Sequence, residues 1–291
     1  MTFIFTWFLY KRWKIAKNQN IIIEEQKKLV EEKNRQVELK NQEIMDSITY
    51  AKRIQSAILP PERLVKEYLL NSFVLYKPKD IVAGDFYWIE PIGDLIIFAV
   101  ADCTGHGVPG AMVSVVCHNA LNRSVREFGL TVPGEILDKT REIIVSEFEK
   151  NDENVSDGMD ISLCSLNIES MKLQWAGANS PLWLIKKQDD TIVKVSPNKQ
   201  PIGKHISYNA FETQSIDIEK GDSIYLFTDG YADQFGGEDE KKFKSKNMRK
   251  LIKEIHNEPM HIQRIKFEET FEQWKGDFEQ VDDVCVIGIQ L

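Results

Sequence analysis

The chain has 291 residues, of which 42% are hydrophobic and 10% aromatic, and its formal net charge is −8. These values are typical of a globular protein with room for one large domain and an extension. The acidic balance argues against a nucleic-acid-binding surface. The four cysteines form no C-x-x-C pair, which argues against a zinc knot or a disulfide framework and favours reduced thiols in a cytosolic setting.

The amino-terminal segment, residues 1–14, is unusual. Residues 2–10 are almost wholly apolar, and a basic stretch follows at residues 11–14. The apolar run is about half of the ~20 residues that a membrane helix needs, and a signal peptide would carry its positive charge before the run. One interpretation is the cytoplasmic end of a membrane helix with a basic flank, which would tether the chain to the inner face of the membrane. The alternative is an amphipathic terminus with no membrane role.

A long helix is predicted over residues 18–59, which contain no Gly or Pro. Apolar residues recur there at every seventh position: Ile23, Val30, Val37, Ile44, Ala51 and Ile58. The second seam of the heptad is mostly polar, so the pattern favours a weak parallel coiled coil, and hence a homodimer, over a strong one. A solvated single helix is the alternative. Pro60 and Pro61 end the helix, so we predict a signalling linker over residues 15–61 and a separate domain over residues 62–291.

Beyond the prolines the sequence predicts short strands and two pairs of helices. The strands are expected at residues 72–76, 86–89, 95–101, 160–168, 172–178, 182–187, 191–195, 211–218, 223–227 and 284–290. The helices are expected at residues 110–128, 133–150, 245–255 and 260–274. Because strands come in blocks and do not alternate with single helices, the pattern indicates an α+β protein with packed sheets and outer helices.

Four acidic sites share one local pattern, a carboxylate beside a strand that is predicted to be buried. Asp85 precedes one strand, Asp102 and Asp229 follow two others, and Asp282 and Asp283 open the last strand. An isolated charge is costly at such a position, although a turn or a cap explains any single case. Several carboxylates without a His or Cys cluster favour Mg²⁺ or Mn²⁺ over Zn²⁺.

Four motifs that contain these acids occur in a distinctive order. They are Gly-Asp-Phe-Tyr-Trp at 84–88, Asp-Cys-Thr-Gly-His-Gly-Val-Pro-Gly-Ala-Met at 102–112, Thr-Asp-Gly at 228–230 and Asp-Asp-Val at 282–284. Together they resemble the metal-dependent PPM family of serine/threonine phosphatases, in its bacterial SpoIIE-like (RsbU-like) branch. The resemblance covers residues 72–291, and residues 47–60 resemble the linker that precedes this domain. It implies an αββα sandwich, two packed antiparallel sheets flanked by helix pairs, behind a long coiled-coil-like helix.

The resemblance also implies a centre of two Mn²⁺ or Mg²⁺ ions. By position, Asp102 would bridge both ions, Asp229 and Asp282 would complete one site, and Asp85 with the backbone carbonyl of Cys103 would serve the other. The ions would activate a bridging water that attacks the phosphorus of a phosphoserine or phosphothreonine.

Further residues near the motifs have weaker claims. Asp283 falls where relatives carry a variable polar residue, and it ranks below its neighbour as a ligand. Asp160 and Asp233 lie near family motifs and are candidates for a third ion or for its surroundings. His106 is a candidate acid for the leaving oxygen, with a plain loop histidine as the alternative. No arginine matches the phosphate-binding arginine of animal members, and Lys77 or Lys79 is the proposed substitute.

Three functions remain open at this point. The first is a protein phosphatase whose cytoplasmic catalytic domain acts on a phosphorylated regulatory protein of the anti-sigma-factor-antagonist type and is controlled through the amino-terminal helix. The second is a catalytically weak phosphatase-fold regulator that acts by binding a partner. The third is a hydrolase of small phosphoesters, which the lack of a G-x-x-x-x-G-K-[ST] loop weakens.

Overall fold

The computed structural model describes residues 2–149, 157–188, 191–205 and 208–291. The chain divides into two compact units, Met1–Tyr50 and Ala51–Leu291. The helices are α1 (Thr2–Ile58), α2 (Glu62–Tyr68), α3 (Gly107–Asn122), α4 (Pro133–Glu149), α5 (Gly230–Asp233), α6 (Lys244–Ile255) and α7 (Met260–Lys275).

The strands lie in the larger unit and pair antiparallel. They are β1 (Ser72–Lys77), β2 (Phe86–Ile92), β3 (Leu95–Cys103), β4 (Gly158–Asn167), β5 (Lys172–Ala178), β6 (Leu182–Ile185), β7 (Ile192–Val195), β8 (Ile202–Gly203), β9 (Gln214–Asp217), β10 (Ser223–Phe227), β11 (Phe235–Gly236), β12 (Lys241–Lys242) and β13 (Val284–Gln290). One sheet, here called sheet A, has the order β1-β13-β10-β6-β7. Sheet B has the order β2-β3-β4-β5-β9, with β8 paired to β4, and β11 and β12 form a small hairpin.

Three layers of apolar side chains hold the larger unit together. The outer face of sheet B packs on α3 and α4, the two sheets pack on each other, and the outer face of sheet A packs on α6 and α7. Along β13, for example, Val284 and Val286 face the helices, whereas Cys285 and Ile287 face the other sheet, as the two-residue period of a strand requires. The predicted α+β class and αββα arrangement are therefore confirmed.

Most predicted elements occur within a few residues of their expected bounds. The helix expected at 110–128 begins earlier, at Gly107, and ends in a π-helical turn, Arg123–Glu127. The strand expected at 211–218 is confined to Gln214–Asp217. The last residue of the helix expected at 133–150, Lys150, lies outside the described residues. Helix α2, of seven residues, was not expected because so short a segment shows little periodicity.

In the smaller unit the structure is a single continuous helix. Ile23, Val30, Val37 and Ile44 are each more than half exposed along it. The later members of the same heptad series, Ala51 and Ile58, are partly buried within the larger unit. Across the part of the chain that the structure describes, no helix has an apolar stretch long enough to cross a membrane.

Candidate functional site

Strand alternation directs several carboxylates to one edge of the space between the sheets. In β3, Phe98 and Val100 face the core between the sheets, and Asp102 occupies the next position on that face. Asp160 of β4 is the antiparallel partner of Asp102, so both side chains lie on the same side of sheet B. Acids therefore occupy the positions at which the apolar, inter-sheet face of β3 and β4 ends.

A pocket of about 310 Å³ opens at this edge. Its wall includes the carboxylate residues Asp102, Asp160 and Asp282, which come from three different strands or their ends. The remaining wall residues are Cys103, Thr104, Gly105, His106, Gly158, Met159, Pro201 and Gly203. The pocket therefore combines acids with exposed backbone of the glycine-containing loop after β3.

Burial and mutual repulsion raise the pKa values of these acids. Burial, followed by the charges of Asp229 and Asp282, raises the pKa of Asp102 to about 8. Burial is also the main cause of the raised pKa of Asp85, with the charge of Asp102 second, and of the raised pKa of Asp160. A proton or a cation must therefore compensate the crowded charge at neutral pH.

Asp229 lies between β10 and α5 at the solvent-exposed side of the cluster. Loss of hydration and the charges of Asp233 and Asp282 raise its pKa, which a hydrogen bond with Asp102 and the charge of Lys242 oppose. Because two carboxylates share a hydrogen bond only when one is protonated, this contact also indicates that the site requires positive charge. Asp233 itself forms an ion pair with Lys242 at 2.6 Å and is absent from the pocket wall.

Asp85 is nearly inaccessible, with 2% of its surface exposed. Its Oδ2 atom accepts a hydrogen bond of 2.6 Å from the hydroxyl of Thr228, which also accepts one of 2.9 Å from the backbone N–H of Cys285. Thr228 therefore links the ends of β10 and β13 to the loop before β2. Its role in holding Asp85 was not predicted, although it lies inside the Thr-Asp-Gly motif.

Asp283 differs from its neighbour in what it contacts. Its two carboxylate oxygens accept backbone hydrogen bonds of 2.7 Å from Lys79 and Gly84. These bonds lower its pKa, but burial outweighs them and the net pKa is raised. With both oxygens engaged, Asp283 ties the loop of residues 79–84 to the start of β13, whereas Asp282 lines the pocket.

Glycines allow the loops of the site to approach one another closely. A Cβ atom on Gly84 or on Gly110 would overlap the carbonyl oxygen of Gly105, and one on Gly84 would lie 3.1 Å from the carbonyl oxygen of Cys103. Gly105 has a φ of 83°, which side chains other than glycine rarely adopt. The backbone oxygens of residues 103 and 105 are thereby held next to the loop that carries Asp85.

His106 forms part of a chain of three polar side chains at the mouth of the pocket. Its Nδ1 atom lies 2.9 Å from Oδ2 of Asp80, and its Nε2 atom lies 3.0 Å from Nζ of Lys79. An ammonium group only donates, so Nε2 accepts from Lys79 and Nδ1 donates to Asp80. Lys77, the other predicted phosphate ligand, instead pairs with Glu268 and Glu272 of α7.

The donor set fits a hard cation held partly by water. The available groups are carboxylate and carbonyl oxygens, which Mg²⁺ and Mn²⁺ prefer. Among the described residues, no group of three or more His, Cys, Asp or Glu side chains is arranged so that it could hold a metal ion by itself. Mg²⁺ commonly retains several waters and takes only one or two carboxylates, so an open set of acids around a pocket suits it better than it suits Zn²⁺.

Comparisons with known proteins agree with this geometry. The profile of the family described as Stage II sporulation protein E (SpoIIE) matches residues 93–291. The phosphoserine phosphatase RsbU of Bacillus subtilis (strain 168) is 25% identical over 193 residues, which are 65% of this chain and 54% of that protein. The present chain thus spans about half the length of that relative.

Two solved structures share the fold. The SiaA-PP2C domain of Pseudomonas aeruginosa is 28% identical with a TM-score of 0.78, covering 86% of this chain and 98% of that one. The PP2C phosphatase domain of SpoIIE from Bacillus subtilis, solved with a fragment of its regulatory domain, is 18% identical with a TM-score of 0.61, covering 76% and 63%. With the profile match extending over more than half of its residues, this chain belongs to the SpoIIE family.

Proposed function

We propose that the chain is a metal-dependent protein serine/threonine phosphatase. The observation that carries the proposal is the crowding of Asp85, Asp102, Asp160, Asp229 and Asp282, whose charges act on one another at one edge of the sandwich. Such crowding is tolerable at neutral pH when divalent cations occupy the site. RsbU, a relative by sequence, is named a phosphoserine phosphatase, which supports a phosphoserine or phosphothreonine substrate here.

The proposed ligand set is the one that the resemblance of the motifs implies. Asp102 would contact both ions, Asp229 and Asp282 would hold one, and Asp85 with the Cys103 carbonyl would hold the other. Asp160, opposite Asp102, is the better placed of the two candidates for a third ion. Bound divalent ions would supply an activated water at neutral pH and would offset charge on the phosphate.

The chain's own polar groups would orient the phosphate and its leaving group. Lys79 presents an ammonium group at the pocket mouth, 3.0 Å from Nε2 of His106, and is the proposed phosphate ligand. His106, oriented by Asp80, is the proposed general acid, and because its Nδ1 proton is donated to Asp80, the proton for the leaving serine or threonine oxygen would pass through Nε2, which accepts a hydrogen bond from Lys79. Asp283 is proposed to position the loop that carries Lys79, Asp80 and Asp85, not to bind an ion.

Control through the amino-terminal helix is the second part of the proposal. Residues 15–61 would form a linker, residues 62–291 the phosphatase domain, and residues 1–14 the end of a membrane helix. The exposed series Ile23, Val30, Val37 and Ile44 is the proposed dimer seam. Sedimentation of a protein that begins at Asn18 tests the seam, and a monomer at micromolar concentration contradicts it. We further propose that the substrate is a phosphorylated regulatory protein of the anti-sigma-factor-antagonist type.

The central experiment measures hydrolysis of a phosphoserine peptide with Mn²⁺, with Mg²⁺ and with a chelator. We expect turnover that depends on the metal and that falls by about 10³-fold or more in Asp102→Asn, the order expected when electrostatic stabilisation of the transition state is lost. Asp94→Asn is the matched control, because Asp94 is exposed at the other end of the same β2–β3 hairpin.

The alternatives give different results in the same experiment. A regulator without useful turnover would bind a partner and show no metal-dependent hydrolysis by the wild-type protein. A hydrolase of small phosphoesters would process nucleotides faster than the peptide. Turnover that survives in Asp102→Asn, or that ignores the chelator, would refute the proposed centre.

A further inference from the structure

Helix α6 carries its positive charges on one exposed face. These residues, here called the basic stripe, recur with the i, i+3, i+4, i+7 spacing of a helix face: Lys246, Arg249, Lys250 and Lys253. The opposite face is buried in the core below the helix with the same spacing: Met248, Leu251, Ile252 and Ile255. The apolar face of α6 is therefore already occupied, and the helix offers only its charge to a partner.

The concentration of charge is unusual for this chain. Helix α6 holds five basic residues, Lys244 and the basic stripe, with Glu254 as its one acid, while the whole chain has a net charge of −8. The first turn of α6 contains no acidic residue, although acids at that end would interact favourably with the helix dipole and cations do not. The helix dipole favours Lys253 in the last turn, but it does not explain Lys244 and Lys246 in the first.

Contacts within the protein neutralise the stripe only weakly. Lys250 and Glu254 lie 3.8 Å apart with both side chains more than half exposed, and such surface pairs contribute little. The guanidinium group of Arg249 lies over the ring of Trp183 at 5.8 Å, which orients the arginine and leaves its charge in place.

The basic stripe begins beside the candidate active site. Helix α6 packs against α5, the short helix that starts directly after Asp229. On the segment that leads into α6, Lys242 pairs with Asp233, and its charge lowers the pKa of Asp229. The basic stripe thus lies on the helix that packs against α5, the helix directly after Asp229 in the chain.

We propose that the basic stripe docks an acidic segment of the phosphorylated protein substrate, next to the residue that is dephosphorylated. The inference rests on the proposed phosphatase function and adds a substrate class to it. The chain as a whole, with its net charge of −8, repels an acidic phosphoprotein, and a cationic surface near the site supplies the complementary charge that favours encounter. Because the apolar face of α6 is buried, the helix lacks the apolar surface with which an amphipathic helix enters a membrane.

The test compares two phosphoserine peptides of about 16 residues, each spanning about 50 Å when extended. The 12 residues of α6 rise about 18 Å, so an extended peptide of this length has about 30 Å left to reach the pocket. One peptide carries glutamates on both sides of the phosphoserine, and the other carries glutamines at the same positions. Hydrolysis of p-nitrophenyl phosphate, which cannot reach the stripe, reports the chemistry alone.

The variant Lys246→Gln/Lys250→Gln/Lys253→Gln removes three charges and leaves Arg249 against Trp183. The matched control, Lys172→Gln/Lys187→Gln/Lys220→Gln, removes three exposed charges at the opposite ends of the strands, one from the start of β5 and two from turns. We expect kcat/KM of the wild-type protein for the glutamate peptide to exceed that for the glutamine peptide by about tenfold at low salt. The preference for the glutamate peptide should fall with rising salt. In the stripe variant it should disappear because KM for the glutamate peptide rises while kcat is unchanged, and in the control variant it should persist.

A second measurement does not depend on activity. Fluorescence anisotropy should detect binding of an unphosphorylated glutamate peptide to the wild-type and control proteins, and weaker binding to the stripe variant. Equal kcat/KM for the two peptides in the wild-type protein overturns the inference. So does binding to phosphatidylserine vesicles through the stripe without any preference for the glutamate peptide. Absence of all hydrolysis would refute the proposed function instead, while hydrolysis by the wild-type protein without a peptide preference refutes only the docking.

Discussion

Replacement of Asp102 by asparagine should stabilise the protein when no divalent metal is present. Burial and neighbouring acids raise the pKa of Asp102 from 3.8 to about 8, so the folded state binds a proton more tightly than the unfolded state does. The stability linked to this group is therefore complete below the unfolded pKa and is lost as the pH rises through the folded pKa. At pH 7 the raised pKa of Asp102 lowers the free energy of unfolding by up to about 4 kcal/mol, since each pH unit between the unfolded pKa and pH 7 contributes about 1.4 kcal/mol.

The expected gain is smaller than this limit. An asparagine removes the charge but remains a buried polar group that needs hydrogen-bond partners. We therefore expect Asp102→Asn to raise the free energy of unfolding by about 1–3 kcal/mol at pH 7 in chelator, with the difference shrinking as the pH falls toward 4. Urea unfolding at pH 5 and at pH 7 measures the gain in stability and its dependence on pH. The control Asp94→Asn should show no such gain at either pH.

Addition of Mn²⁺ should reverse the order of stability. The wild-type protein should gain stability from binding the ion, whereas Asp102→Asn should gain little because a carboxylate is missing. A variant that is less stable than the wild-type protein in chelator at pH 7 would refute the view that the carboxylates repel one another in the folded state. An equal effect of Mn²⁺ on both proteins would refute the assignment of Asp102 as a ligand.

Three further predictions concern the parts that hold the site. Gln55→Leu should lower the free energy of unfolding by about 2–4 kcal/mol and reduce activity. Buried Gln55 forms hydrogen bonds with both the N–H and the carbonyl of Ala83, and losing these bonds leaves the buried groups of Ala83 unpaired. Urea unfolding tests this, with Gln42→Leu at an exposed position as the control. Gly110→Ala should lower the free energy of unfolding by more than about 2 kcal/mol and abolish metal-dependent turnover, because the added Cβ would overlap the carbonyl oxygen of Gly105. Normal turnover of this variant would contradict the packing described for these loops. Lys246→Glu should raise the stability by about 0.3–1 kcal/mol, because it puts an acid in the first turn of α6; a lower urea midpoint would contradict this.

The sequence was sufficient to predict the layers because they follow from short-range periodicity. The two-residue alternation in β10 and β13 and the helical spacing in α6 and α7 depend only on neighbours in the chain. The convergence of Asp102 and Asp229 was expected on a different ground, the resemblance of their motifs to a known family, since β3 and β10 belong to different sheets.

The supports of the site could not be predicted in the same way. Gln55 bonds Ala83 across 28 positions, and Asp283 bonds Gly84 across 199. Bonds between a side chain and a distant backbone leave no periodic trace, because any N–H can serve as the donor. The pairing of His106 with Asp80 was missed for this reason, although His106 itself was a candidate.

Asp282 and Asp283 are neighbours in the chain but have different roles: one lines the pocket and the other holds a loop. Asp283 continues the face of β13 that is buried between the sheets, and burying its charge is tolerable because Lys79 and Gly84 donate backbone hydrogen bonds to it. Asp282, one position earlier, lies in the bend before β13 and lines the pocket. Asp282 accepts the backbone N–H of Asp283 at its Oδ1 atom, at 2.8 Å, while Asp283 holds the loops in register through its bonds to Lys79 and Gly84. It follows that mutation of Asp283 should damage the site through the loop that carries Asp85, even though Asp283 contributes no oxygen to the pocket wall.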